Sequence, residues 1–178
     1  MCGALSHLQL ASVTLPRYNV AKRMASLPEP DPITDLLKRV RTIAVVGLSD
    51  SPLRPSHGVA AYMQSHGYHI IPVNPKIEEA LGEKSYRSLL EVREKIDIVD
   101  IFRRPEYVEE IVDQAIRLEI PAIWMQEEVI NEKAAEKARQ AGIFVVMDQC
   151  ILKEHHARFG VGVRSVVGDW NAGADDRT

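Results

Sequence analysis

Short apolar runs alternate with longer amphipathic segments over residues 31–160, and each run has the length of a buried strand. The runs are residues 43–46, 70–73, 96–102, 122–125 and 143–147. The segments between them carry apolar residues at helical spacing, and they are long enough for right-handed crossovers between parallel strands. This alternation predicts the α/β class, with a doubly wound, five-stranded parallel sheet that is Rossmann-like. We expect the strand order 3-2-1-4-5, with the switch point between strands one and four.

The end of the first strand is the most informative point of the chain. Gly47 ends the apolar run, and a turn of small residues leads to Ser56, the expected N-cap of the next helix. Turns of this kind in α/β proteins present backbone N–H groups and the positive end of a helix dipole to a phosphate. The dinucleotide fingerprint is incomplete, because Ser49 and Pro52 occupy the positions of its second and third glycines. The turn therefore predicts a phosphate site that differs from a standard NAD site.

Basic residues lie where an NAD site would place a carboxylate for the ribose hydroxyls. The second strand is followed by Lys76, Arg54 lies in the turn, and Arg103 and Arg104 follow the third strand. If the strands are parallel, these four cations share the carboxyl edge of the sheet. Cations at this edge favour a nucleotide with an additional ribose phosphate, which is found in coenzyme A and in NADP.

Five segments together resemble one known family. They are Gly-x-Ser-x-x-Pro-x-Arg-x-Ser at 47–56, Gly-Tyr-x-Ile-x-Pro-Val-Asn-Pro at 67–75, Asp-Ile-Val-Asp-Ile-Phe-Arg-Arg-Pro at 97–105, Trp-Met-Gln at 124–126 and Met-Asp-x-Cys at 147–150. In this order they resemble the small stand-alone coenzyme A-binding proteins, which are similar to the coenzyme A-binding domain of succinyl-CoA synthetase α subunits and of ADP-forming acyl-CoA synthetases. The resemblance covers about residues 31–160 and implies coenzyme A, or an acyl-CoA, as the ligand. Glu128 departs from it, because family members commonly carry glycine at this position.

The turn, the strand ends and the resemblance together supply the candidate ligand contacts. These are Gly47, Ser49, Pro52, Arg54, Ser56, Asn74, Pro75, Lys76, Phe102, Arg103, Arg104 and Gln126. Cys150, after the fifth strand, is a candidate contact for the thiol end of a bound pantetheine. Each also has a structural interpretation. Glycine, asparagine and proline shape turns, exposed cations are common on any surface, Arg104 can position the following helix, and Phe102 can belong to the core.

Composition indicates one globular domain with a small-molecule ligand. The chain has 178 residues, 46% hydrophobic and 26% charged, and no apolar run reaches the length of a membrane span. The net charge is −3, and the cations form no dense basic stripe, so we expect neither nucleic acid nor a membrane as a partner. Nothing in the sequence indicates a protein partner. Cys2 and Cys150 suggest no disulfide framework, which favours the reducing cytoplasm.

The two ends of the chain differ from its middle. Residues 1–28 contain basic but no acidic side chains, and we expect residues 1–30 to be a flexible extension. A transit peptide and an internal start at Met24 are the alternatives. The ligand-binding domain is expected over residues 31–165, followed by a flexible tail over residues 166–178.

Catalytic motifs are weak. The turn after the first strand approaches a nucleophile elbow but lacks the second glycine, and Cys150, His155 and His156 match no common zinc spacing. We therefore expect a coenzyme A-binding protein without evident catalytic machinery, acting as a carrier, a sensor or a regulatory module. One alternative is an NADP-dependent oxidoreductase. The other is an interaction module with a decayed nucleotide site, which Glu128 favours.

Overall fold

The computed structural model describes residues 31–160 of the chain. The predicted extension over residues 1–30 and the predicted tail over residues 166–178 lie outside the described residues. Within 31–160, the helices and strands alternate as the apolar pattern predicts, and no helix of this part of the chain is long and apolar enough to cross a bilayer.

The elements follow one another in a βα order after an initial helix. They are α1 (Pro32–Arg39), β1 (Thr42–Val46), α2 (Pro55–Ser65), β2 (His69–Val73), β3 (Glu79–Ala80), β4 (Glu83–Lys84), a 3-10 turn (Leu89–Glu91), β5 (Ile98–Ile101), a second 3-10 turn (Pro105–Tyr107), α3 (Val108–Arg117), β6 (Ala122–Met125), α4 (Glu132–Gln140), β7 (Phe144–Val146) and α5 (Ile151–Phe159). Each predicted apolar run forms a strand of the main sheet. The small antiparallel pair β3–β4 was not predicted.

The main sheet is parallel and doubly wound, and its strand order is β2-β1-β5-β6-β7. Numbered among the five main strands, this order is 2-1-3-4-5, so the predicted order 3-2-1-4-5 is wrong. β1 pairs with β2 on one side and with β5 on the other, with Ile43 opposite Ile70 and Ile98. The switch point therefore lies between β1 and β5, not between the first and fourth main strands.

Pro72 gives the physical reason for this correction. The predicted order would place β2 between two neighbours, where each residue of the strand donates or accepts in a ladder. Proline has no N–H and is therefore confined to edge strands or bulges. In the structure β2 is the edge strand, and only one residue bridges its outer side: Tyr86 donates its N–H to the Pro72 carbonyl (2.9 Å). The proline signal was present in the sequence.

Apolar side chains from both faces of the sheet form two cores. Alternate residues of β1 point to opposite faces: Ala44 and Val46 join one core, while Ile43 and Val45 join the other. The first core packs against α3 and α4, and the second packs against α1, α2 and α5. The second core also contains the fully buried Trp124. Helices cover both faces of the sheet, which leaves the two ends of the strands for ligands. The side where the strands begin is the amino edge, and the side where they end is the carboxyl edge.

Candidate functional site

The turn after β1 is shaped around Gly47. This residue has φ +90°, and its N–H donates to the Val73 carbonyl (2.9 Å). A Cβ at this position would lie 2.4 Å from the Phe102 carbonyl oxygen and 2.9 Å from the Arg103 side chain. Both the backbone conformation and the lack of space therefore require glycine. The chain can thus pass from β1 directly over the end of β5.

Two serine hydroxyls of the turn, those of Ser49 and Ser56, accept hydrogen bonds from the backbone of the turn itself. The Ser49 N–H donates to Ser56 Oγ (3.1 Å), and the Ser51 N–H donates to Ser49 Oγ (3.2 Å). The sequence predicted Ser56 as the N-cap of α2, and this prediction is wrong. The cap is Arg54, because Pro55 fixes the first helical position. The hydroxyl of Ser56 instead holds the turn in shape.

The N-terminus of α2 is left without a side-chain cap. Its first turn also contains no acidic residue. Asp31 caps α1 and Asn131 caps α4, whereas α3 and α5 also lack a side-chain cap but carry acidic residues in their first turns. Orphan N–H groups and a positive dipole end at an uncapped helix start favour an anion. Pro52 and Arg54 lie beside this helix start and are exposed, which leaves Arg54 accessible to such an anion.

Asn74 links the end of β2 to the turn. Its Nδ2 donates to the Leu48 carbonyl (2.8 Å), and its Oδ1 accepts from the Lys76 N–H (3.1 Å). The Asn74 side chain thus holds two loops together, as an asparagine in a turn often does. Pro75 and Lys76 are exposed at the same edge.

The three residues after β5 have different surroundings. Phe102 is half-buried and packs against the core beneath α2. The Arg103 guanidinium lies 4.9 Å from the centre of the Tyr107 ring, in a cation–π contact. Arg104 is exposed and pairs with Glu106 at 3.7 Å. Of the three, Arg103 is the one that faces the open space described next.

A cleft of about 200 Å³ lies at the carboxyl ends of β1, β2 and β5, beside α3. This switch-point cleft is lined in part by Gly47, Pro75, Arg87, Ser88, Arg103 and Tyr107. The sequence analysis predicted the first two and Arg103. Arg87, Ser88 and Tyr107 were not predicted as contacts.

Gln126 is buried and does not face the cleft. Its Nε2 donates to Asp100 Oδ1 (2.7 Å), and both side chains are almost fully buried. Burial raises the pKa of Asp100 from its ordinary 3.8 to about 7, although the bond from Gln126 acts in the opposite direction. Asp100 was not predicted as part of the site. A lone acid within the apolar run of β5 was the available signal.

Two left-handed residues shape the loops after β6 and β7. Glu128 has φ +67°, and its N–H donates to Asp148 Oδ1 (2.8 Å); Asp148 has φ +58°. Glycine is the residue that adopts such a φ without strain, which accounts for the glycine that resembling proteins carry where this chain has Glu128. The exposed Glu128 side chain therefore sits on a loop whose path suits glycine better.

Cys150 precedes α5 at the same edge. It is half-buried, occupies the N-cap position of α5 and packs against the core beneath α2. In the same helix, Lys153 donates to both carboxylate oxygens of Glu127 (2.7 and 2.9 Å). Over residues 31–160 no group of three His, Cys, Asp or Glu side chains is placed to hold a metal ion.

A doubly wound parallel sheet with a glycine turn at its switch point defines the class of Rossmann-like α/β domains. The chain belongs, within that class, to the family described as the CoA binding domain, whose sequence model matches residues 41–156. The family predicted from the five sequence segments is thereby confirmed.

Two of the relatives match the chain over most of its length, and a third matches a shorter part. An uncharacterized protein of Bacillus subtilis (strain 168), YneT, is 44% identical over 128 residues, which are 72% of this chain and 95% of that protein. A solved structure of a hypothetical protein from Pyrococcus horikoshii OT3 is 41% identical, covers 70% of this chain and 88% of that one, and has a TM-score of 0.69. An ADP-forming acetate–CoA ligase of Methanocaldococcus jannaschii is 30% identical over 61 residues, which are 34% of this chain and 9% of the ligase.

Proposed function

We propose that the protein binds coenzyme A, free or as an acyl thioester, along the carboxyl edge of its sheet. The observation that carries this proposal is the uncapped N-terminus of α2 directly behind Gly47, in a chain of the CoA binding domain family. Backbone N–H groups at such a helix start bind pyrophosphate without a dedicated side chain.

The remaining parts of the ligand are assigned by charge and space. The pyrophosphate lies at the start of α2, where Arg54 adds a charge, and Lys76 contacts the extra ribose phosphate. The adenosine enters the switch-point cleft beside Arg103. The pantetheine then runs toward the loops after β6 and β7, so that its thiol end approaches Cys150. Ser49, Ser56, Asn74 and Gln126 support this site through the bonds described above.

The biological role within this proposal is that of a carrier, a sensor or a regulatory module. An NADP-dependent oxidoreductase is the first alternative, since NADP also carries an additional ribose phosphate. A protein-interaction module with a decayed site is the second, and it is favoured by the side chain of Glu128 on a loop that suits glycine.

Calorimetric titration of the full chain with four nucleotides tests the proposal. We expect coenzyme A to bind at least about tenfold more tightly than 3′-dephospho-coenzyme A, because a charge-assisted phosphate contact contributes about 1.5–3 kcal/mol. NAD should bind more weakly than either. Equal affinities for NAD and coenzyme A would contradict the proposal, tighter binding of NADP would favour the oxidoreductase, and no binding of any nucleotide would favour the interaction module.

A pair of arginine variants locates the site. Arg54→Ala should weaken coenzyme A binding by about 10- to 100-fold without altering the unfolding transition, since the side chain is exposed and caps nothing. The control is Arg93→Ala, which removes another exposed arginine, in the loop before β5, and should leave affinity unchanged. If folded Arg54→Ala binds like wild type, Arg54 is a solvated surface cation and no ligand contact.

A further inference from the structure

A second cavity lies at the opposite, amino edge of the sheet. Its volume is about 450 Å³, within the range of small-molecule pockets. The end of α1, the loop before β2 and the last turns of α5 line it, and it is open to solvent. This amino-edge cavity is defined here by Leu37, Lys38, Arg41, Tyr68, His155 and Phe159. It shares no lining residue with the switch-point cleft.

The cavity carries uncompensated positive charge. Lys38 and Arg41 both line it, and neither forms an ion pair with an acidic residue among residues 31–160. The described bonds of the Arg41 guanidinium go to the carbonyls of Lys38 (3.1 Å) and Val40 (2.9 Å), which cancel none of its charge. The nearby Asp97 pairs with Lys95 (3.5 Å), and its other oxygen accepts from the backbone N–H groups of Arg41 and Thr42 rather than from the guanidinium.

One buried polar side chain also faces this space. His155 is only 5% exposed, and its Nδ1 is 3.1 Å from the hydroxyl of Tyr62. Its Nε2 has no hydrogen-bond partner within the part of the chain that the structure describes, and it is accessible from this open space. Burial also lowers the pKa of His155, which favours the neutral ring. If the Tyr62 hydroxyl donates to Nδ1, then Nε2 carries a proton that it can donate.

The walls of the cavity are flat and apolar. The Tyr68 hydroxyl donates to the Leu37 carbonyl (2.8 Å), which leaves its ring as the surface it presents. The Phe159 ring lies 4.9 Å from the His155 ring, and the Tyr68 ring lies 5.6 Å from it. Aromatic rings so arranged accept another planar ring by stacking or edge contact.

We propose that the amino-edge cavity binds a small organic anion in which a carboxylate is attached to a planar apolar body. The carboxylate pairs with Arg41 and Lys38, since a guanidinium matches a carboxylate in shape as well as in charge. The planar body lies against the aromatic cluster of Tyr68, His155 and Phe159, and the Nε2 of His155 donates to the anionic group. This site is independent of the coenzyme A site proposed above and goes beyond it.

The probes are 2-naphthoate and its neutral counterpart 2-naphthalenemethanol, titrated into the full chain and followed by amide chemical shifts in NMR. We expect saturable binding of 2-naphthoate, at least tenfold tighter than binding of the alcohol. The shifts should concentrate at Gly67 and Tyr68, with Gly47 and Ser49 unaffected. Saturating coenzyme A should not displace the probe. Displacement by coenzyme A, or shifts confined to Gly47 and Ser49, would place the anion at the other edge and overturn the proposal.

Charge variants separate this site from general attraction of anions. Arg41→Gln should weaken 2-naphthoate binding about tenfold and Lys38→Gln about threefold, whereas Arg93→Gln, which removes an exposed arginine outside the cavity, should change nothing. The preference of the wild-type protein for 2-naphthoate over the alcohol tests the same charge even if Arg41→Gln fails to fold. Equal affinities for the two probes, equal losses in all three variants, or no binding at millimolar probe would overturn the proposal.

Discussion

Each edge of the sheet has a glycine with a left-handed backbone, and the two glycines have different structural roles. Gly47 at the carboxyl edge and Gly67 at the amino edge both have φ +90°. A Cβ at Gly47 would collide with the backbone of β5, whereas a Cβ at Gly67 would meet nothing within 4 Å. Gly67 therefore serves only to end α2, while Gly47 also allows two chain segments to approach closely. Close backbone approach is thus required at Gly47 and not at Gly67.

The polar side chains of the two edges also have different partners. At the carboxyl edge, Asn74 and Asp148 bond to the backbone of neighbouring loops, so they fix the shape of the proposed coenzyme A site, for which backbone N–H groups are the proposed donors. At the amino edge, Lys38 and Arg41 keep their charge unpaired by any described acid and face a cavity. One sheet can therefore support two proposed sites, a carboxyl-edge site that binds through backbone N–H groups and an amino-edge site that binds through charged side chains.

The largest effect is expected from the buried carboxyl near the carboxyl edge. The folded protein holds the Asp100 proton more tightly than the unfolded chain does, since its pKa is about 7 rather than 3.8. The ionised group therefore opposes folding, and stability falls as the pH rises from about 4 to about 7. About three pKa units correspond to about 4 kcal/mol. Asp100→Asn should lack this loss, as measured by urea unfolding at several pH values.

His155 provides an internal contrast for that experiment. Burial lowers its pKa, so its contribution to stability is lost as the pH falls below about 6.5, in the opposite direction. This effect is common to wild type and Asp100→Asn and cancels in their difference. Asp113→Asn, at an exposed acid that pairs with Lys137, is the matched control. If the difference between wild type and Asp100→Asn does not change with pH, Asp100 is ionised throughout and its burial has no such effect.

The glycine pair gives the next largest effect. Gly67→Ala should destabilise by about 1–2 kcal/mol, the cost of a left-handed conformation for a residue with a Cβ. Gly47→Ala should lose a further 1–3 kcal/mol or so, because the added methyl also overlaps the Phe102 carbonyl. Thermal and urea unfolding of both variants measure the two terms. Equal losses would mean that β5 moves away freely and that the close approach at Gly47 is not required.

Some of this was accessible from the sequence and some was not. The apolar runs, their parallel direction and the glycine turn followed from local patterns of a few residues. Pro72 marked an edge strand, and that local signal was overlooked. The partners of Asn74 and Gln126 lie 26 residues away in the chain, so no local pattern could show that their side chains brace the fold. The amino-edge cavity joins three elements separated in the chain and was likewise out of reach.

The smallest expected effect comes from two glutamates with a left-handed backbone conformation. Comparing them separates backbone strain from ligand binding. Glu128 at the carboxyl edge (φ +67°) and Glu119 after α3 at the amino edge (φ +54°) are both exposed. Replacing either with glycine relieves backbone strain but loosens the unfolded chain, so each should gain about 1 kcal/mol or less. Only Glu128→Gly should also tighten coenzyme A binding in calorimetry. A matching change in affinity for Glu119→Gly would show that the gain is global and unrelated to the site.

Pro72 also affects the tendency of the protein to aggregate at high concentration. An edge strand normally offers unpaired N–H and C=O groups to a strand of another chain, which is a common start of aggregation. Here the proline removes one N–H, and Tyr86 occupies the Pro72 carbonyl and the Asn74 N–H (2.8 Å). The end of β2 nearest the proposed coenzyme A site is therefore closed to strand addition. The bonds that hold the site's loop in place thus also keep neighbouring molecules from extending the sheet.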